Sequence, residues 1–115
     1  MRYTIKENNR FLFLYKKGKS IVCPGVVTYY IKNRKSFNRY GITAGKKVGN
    51  AVLRNRARRI IRQAYLQAEH RMPKGYDFVF VARGRTPKMK TQDIFKNLIW
   101  QSYKIKDEKT NNKSN

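Results

Sequence analysis

The chain has 115 residues, enough for one domain with one modest core. Lysine and arginine number 28 against six carboxylates, and the resulting formal charge of +22 exceeds what solubility needs and fits nucleic acid or an anionic membrane surface. Six Phe, eight Tyr and one Trp are interleaved with this charge, which excludes a purely disordered basic tail and favours a folded domain with stacking surfaces for RNA and single strands.

Residues 1–8 read as a polar, basic arm. Asn8 or Asn9 is placed to cap a helix over Asn9–Lys16, with Phe11, Leu14 and Tyr15 on one face and Gly18 as its stop. Phe11–Tyr15 is followed at once by Lys16 and Lys17, so this apolar run is too short for the core of a signal peptide. No run approaches a transmembrane span, and the expected location is the cytoplasm, with no membrane partner. Cys23 is the only cysteine, so it offers neither an internal disulfide nor zinc-ligand spacing and reads as a small, half-buried residue at a strand start. Pro24-Gly25 precedes the β-branched and aromatic run Val26–Ile31, a strand. Lys32–Ser36 is a basic turn, and Phe37–Ala44 reads as a second strand, hairpin-paired with the first.

The loop Gly45–Gly49 leads into a helix with Asn50 as N-cap that runs to about Arg71, where Pro73 and Gly75 end it. At about 100° per residue, Leu53, Ala57, Ile60, Ile61, Ala64 and Ala68 form a core-facing stripe. Arg54, Asn55, Arg56, Arg58, Arg59 and Arg62 fill the other side, with no carboxylate before Glu69. A solvated helix mixes its signs at i,i+4 spacing. This one tolerates repulsion among five arginines, whose forks suit phosphate oxygens. Lys46, Lys47 and the backbone N–H groups of Val48 to Asn50 stand where the helix opens, a place suited to phosphate.

Tyr76–Ala82 (YDFVFVA) is apolar on both faces and reads as a central strand. Arg83-Gly84-Arg85 is a basic turn. Thr91 is placed to cap a last helix with Ile94, Phe95, Leu98, Ile99 and Ile105 in a stripe, and residues 106–115 read as a disordered polar tail. Residues 1–105 then make a single domain of order helix, strand, strand, helix, strand, helix. The expected fold is a two-layer α/β sandwich with a small mixed sheet.

Catalytic equipment is sparse. The six carboxylates, Glu7, Glu69, Asp77, Asp93, Asp107 and Glu108, are scattered rather than clustered for metal ions. His70 is the only histidine, near a helix end, and reads as a surface residue favourable to the helix C-terminus. There is no Ser/His/Asp set, Cys/His pair or P-loop, so no catalytic residue and no metal ligand is assigned. Phe11, Tyr15 and Tyr29 either pack as core between helix and sheet or line an open groove where a single strand could stack, with Lys16, Lys17 and Lys19 nearby. Composition alone leans to the core reading.

The stretch Lys46-Lys47-Val48-Gly49-Asn50-Ala51-Val52-Leu53-Arg54-Asn55-Arg56, continued by Arg58, Arg59 and Arg62, resembles the arginine-rich RNR signature of the bacterial ribonuclease P protein subunit. Ile5–Phe11 and Lys16–Ser20 resemble that family's N-terminal helix and following turn, and the likeness spans roughly residues 3–105. The resemblance implies an enzyme that removes the 5′ leader of precursor tRNA. Its catalyst would be a large RNA using Mg²⁺, held mainly by that RNA, and the small protein would be a non-catalytic cofactor needing no protein partner. The helix and loop would face the catalytic RNA, which assigns Lys46, Lys47, Asn50, Arg54, Asn55, Arg56, Arg58, Arg59 and Arg62. The cleft would hold the leader, which assigns Phe11, Tyr15, Lys16, Lys17 and Tyr29 and tilts the groove question toward binding. It also implies a left-handed βαβ crossover, where strand and helix twist alone predict a right-handed one. Tyr15 stands where family members often carry Phe, and Cys23-Pro24-Gly25 replaces a more polar stretch. One rival reading is a structural rRNA-binding protein of ribosomal type, outside any enzyme; another is a cationic protein of DNA or membrane surfaces.

Overall fold

A computed structural model describes residues 3–114, with side chains as far as Glu108. Five strands form one mixed sheet: β1 (Tyr3–Thr4), β2 (Lys19–Val22), β3 (Val26–Lys32), β4 (Arg39–Thr43) and β5 (Tyr76–Ala82), in the spatial order β1-β4-β5-β3-β2. The helices are α1 (Asn8–Lys17), α2 (Ala51–Ala68) and α3 (Thr91–Ser114). All six expected elements are present in the expected order, with two short edge strands added.

β5 takes the centre because six of its seven residues are buried, a burden only a strand covered on both faces can carry. Its position overturns the expected hairpin. β3 runs antiparallel to β5 on one side and β4 parallel to it on the other, so β3 and β4 never touch as a pair. The segment between them crosses two strand spacings, about 10 Å, which residues 33–38 cover easily. The real hairpin is β2 with β3. Cys23 lies in its turn, not at a strand start. It is 6% exposed, and burial pushes its thiol up from the usual range. Gly25 in the same turn donates its N–H to Asn97 Oδ1 at 3.0 Å, and an added Cβ would stand 2.3 Å from Ile94 Cδ1.

The register sorts side chains by face. Tyr40, Phe78, Tyr30 and Lys19 are aligned across the sheet, and so are Gly41, Val79, Tyr29 and Ser20. α2 and α3 form the helical layer over the first face, closing the main core around Phe78, Phe80, Val26, Ile61, Tyr65, Ile94 and Leu98. α1 covers only part of the second face, with Leu14 fully buried against Val79 and Ile5. β4, α2 and β5 make the parallel crossover unit around the arginine helix.

Several ends differ from expectation. The basic arm contributes β1, and Ile5 donates its N–H to Tyr40 O at 2.8 Å, because an exposed β4 edge needs a partner; residues 1 and 2 lie outside the described residues. Neither Asn8 nor Asn9 caps α1; both are helical and Glu7 precedes them without a side-chain cap. Gly18 does end α1, its N–H reaching Leu14 O. Thr91 is the first helical residue of α3 and not its cap; Asp93 Oδ2 instead accepts from Lys90 N at 2.9 Å. α2 passes into a 3₁₀ turn over Glu69–Arg71.

α3 runs on through the expected tail. Ile105 is buried, Lys106 Nζ donates to Arg71 O at 2.8 Å, and Glu108 Oε2 accepts from Tyr30 Oη at 2.8 Å while pairing with Lys19. The Lys19 ammonium holds the Glu108 carboxyl below its ordinary value. These contacts explain helix where composition suggests disorder; Asn115 lies outside the described residues.

Asn50 caps α2 as expected, its Oδ1 accepting from Leu53 N at 3.0 Å. Asn50→Ala is expected to cost about 1 kcal/mol of folding stability. Chemical denaturation measures it, and a variant as stable as the parent would remove the capping account.

Candidate nucleic-acid interface

α2 is an amphipathic rod fixed by its apolar side. Ala57, Ile61, Ala64, Tyr65 and Ala68 are buried, and Leu53 and Ile60 are half-buried at the stripe's border. Tyr65 is absent from the stripe read in the sequence. It is fully buried, with its ring 4.6 Å from Tyr40 and 5.1 Å from Phe80. Its place four residues after Ile61, about 40° from it on the wheel, is the signal in the sequence.

The anchoring aims the basic side outward. Arg56, Arg59 and Arg62 are exposed, and Arg54 and Arg58 half-buried. None of the five pairs with a carboxylate among the described residues. Arg58 Nη1 donates to Asn55 Oδ1 at 3.0 Å, and Arg54 Nε is buried with no hydrogen-bond partner. Asp77, Asp93 and Glu108 are committed elsewhere. Val52, 66% exposed, lies within this cationic side.

At the helix mouth, Lys46 and Lys47 are exposed on a 3₁₀ turn pinned by buried Val48. The backbone cradle expected there is largely taken. Val48 N donates to Gly45 O and Gly49 N to Lys46 O, so these amides close the turn rather than wait for an anion. Gly49 has φ +137°, and a Cβ there would meet Leu53 Cδ1 at 2.6 Å. The turn holding Arg83 and Arg85 lies alongside: a Cβ on Gly84 would sit 3.8 Å from Lys47 O. Sequence reading names these arginines without placing them beside the loop, since only the crossover brings both strand ends together.

On the opposite sheet face, Leu14 takes the core position of α1 and leaves the rings at the margin. Tyr15 is 39% exposed, its ring edge-on to Tyr29 at 5.0 Å, and its hydroxyl lies 3.3 Å from Thr43 Oγ1. Phe11 is seated over Gly41, where an added Cβ would be 2.3 Å from Phe11 Cζ. Val27, Tyr29, Ile31 and Val81 are only half-buried beside α1, so an open apolar strip remains. Lys16 and Lys17 are exposed at the end of α1. Lys19 is not part of this groove: strand alternation sends it to the other face and Glu108. A cavity of about 180 Å³ at the β1–β4 edge is lined by both Phe11 and Arg62.

α1 is moored by Asp77, which is fully buried. It accepts from Arg10 Nε at 2.7 Å, Arg39 Nε at 2.9 Å, Arg39 Nη2 at 2.6 Å and Asn33 Nδ2 at 2.9 Å. Burial alone would raise this carboxyl; the hydrogen bonds from Arg39, Asn33 and Arg10 outweigh it and hold it below its ordinary value.

The family model described as Ribonuclease P matches residues 1–106. The chain belongs to the ribonuclease P protein family. It is 42% identical over 96 residues to the ribonuclease P protein component of Clostridium botulinum (strain Langeland), covering 83% of this chain and 86% of the relative. Its counterpart in Clostridioides difficile is 40% identical over 95 residues, 82% of this chain and 83% of the relative. Among solved structures, the Staphylococcus aureus RNase P protein superposes with a TM-score of 0.75 at 35% identity, covering 91% of this chain and 95% of that one. The Thermotoga maritima RNase P protein gives 0.77 at 26% identity, covering 88% and 96%. The family match takes in the sheet, α1, α2 and α3 as far as Lys106. No helix among the described residues is long and apolar enough to cross a membrane.

Proposed function

We propose that this chain is the protein subunit of a bacterial ribonuclease P holoenzyme. It would work in the cytoplasm and grip the RNA subunit with the cationic side of α2 and the loop before it. The supporting observation is the α2 surface itself: five arginines on a rigid support, none neutralised by the protein's own carboxylates among the described residues. Lys46, Lys47, Asn50, Arg54, Asn55, Arg56, Arg58, Arg59 and Arg62 are the proposed contacts to that RNA. The strip beside α1, with Phe11, Tyr15, Tyr29, Lys16 and Lys17, is the proposed seat of the 5′ leader of precursor tRNA.

In this reading the protein supplies no reacting group. Its guanidinium groups neutralise phosphates, favour the folded RNA and raise substrate affinity by holding the leader. Mg²⁺ is assigned to the RNA subunit. Among the described residues no three His, Cys, Asp or Glu side chains come together.

The test is reconstitution. Purified protein added to a ribonuclease P RNA should restore leader removal at low Mg²⁺, with no effect expected from a purely structural rRNA-binding protein. In the same assay Tyr15→Ala or Tyr29→Ala should cost about 1–3 kcal/mol of affinity for precursor tRNA and leave affinity for mature tRNA unchanged. Equal losses for both substrates would remove the leader assignment.

A further inference from the structure

α3 presents two exposed rings on one side. Trp100 is 47% and Tyr103 54% exposed, on a helix whose other side is anchored by buried Ile94, Leu98, Gln101 and Ile105. Each ring has a cation against it. Lys104 Nζ lies 5.3 Å from the Trp100 centroid, and Arg71 Nη2 lies 3.4 Å from Tyr103 Oη. Lys96, one turn before Trp100, is exposed as well. Trp100 stands between two hollows. One, of about 250 Å³, lies among Arg71, Lys96 and Tyr103; the other, of about 700 Å³, opens toward β2, Lys104 and Glu108. This side of α3 shares no residue with the α2 surface, and the sheet separates it from the groove beside α1.

We propose that it is a third nucleic-acid surface, one that takes an unpaired RNA strand. Bases would stack on Trp100 and Tyr103 while Arg71, Lys96 and Lys104 meet the phosphates. Charge selects this occupant. Asp107 is in line with these residues on the helix side, and Glu108, which lines the larger hollow, is paired with Lys19, so Arg71, Lys96 and Lys104 outnumber the unpaired acid. A second copy would set +22 against +22. An acidic protein would satisfy the cations but would not call for two rings flanked by open hollows. The inference goes beyond the two surfaces above and stands if either of them fails.

Trp100 is the only tryptophan, so its emission reports directly on this surface. The full chain is titrated with decauridine, and binding is followed in parallel by the anisotropy of a labelled strand. Base stacking should quench Trp100, and the quenching should persist in a Tyr15→Ala variant, whose change is confined to the α1 groove. A duplex RNA of equal charge should bind without that quenching. Lys96→Ala with Lys104→Ala should shift the quenching midpoint upward by roughly 10-fold, at unchanged thermal unfolding. Saturated anisotropy with unaltered emission would overturn the proposal. So would equal quenching by duplex, which marks diffuse charge, or quenching on self-association without RNA, which marks a second copy.

Discussion

Replacing Arg54 and Arg58 together by Glu should weaken assembly with the RNA subunit by roughly 10²–10⁴-fold, taking about 1.5–3 kcal/mol for each charge-assisted hydrogen bond to phosphate that the change abolishes. The slope of log affinity against log salt should become shallower by about two, one for each phosphate no longer neutralised. Folding should change little. Neither arginine pairs with a carboxylate among the described residues, and a Glu at position 54, one turn into α2, is tolerated by the positive end of the helix dipole. Filter binding across a salt series, beside a thermal melt, measures both quantities. Unaltered assembly by a folded variant would withdraw α2 from the interface.

The largest expected effect on stability is at Asp77. One fully buried carboxylate holds two guanidinium groups and an amide, and so joins α1, β4 and the turn after β3 to the central strand. Asp77→Asn keeps the shape but leaves Arg10 and Arg39 confronting each other without a counter-charge. The expected cost is about 3–5 kcal/mol. The pH dependence follows from the lowered carboxyl. Its stabilisation is complete above the unfolded-state value of about 3.9 and is lost as pH falls through the still lower folded-state value. Urea denaturation between about pH 6 and pH 2 should show the parent losing stability in the acid range and the variant lacking this part of the slope. Parallel curves would show that the Asp77 carboxyl titrates alike in the folded and unfolded chain and would remove this account.

The periodicity of α2 was legible because one helix carries both its apolar stripe and its arginines, and such patterns depend only on neighbours in sequence. YDFVFVA likewise announced a central strand through apolar character on both faces. What escaped depends on distant partners. Nothing local in Val26–Ile31 and Phe37–Ala44 says that β5, far along the chain beyond the whole of α2, separates them. The hold of Glu108 on Tyr30 and Lys19 keeps a polar helix end in place that composition alone assigns to disorder. Lys19 was misplaced for the opposite reason. It is close to the groove in sequence, yet strand alternation points it away. The rings of α1 divide in a way that helical spacing does not announce: Leu14 is fully buried, Phe11 is half-buried against the same core, and Tyr15 is at the rim.

Strand β4 sends Tyr40 toward α2, where it meets Tyr65, and places Gly41 and Thr43 beneath Phe11 and Tyr15. Its five residues therefore serve as a shared spine for both proposed gripping surfaces. Inserting or deleting a single residue there would trade the two sets, driving a tyrosine into the seat of Phe11 and a hydrogen where Tyr65 needs a ring. Length changes in this strand can be accommodated only two at a time, whereas substitutions on either side can drift independently of one another.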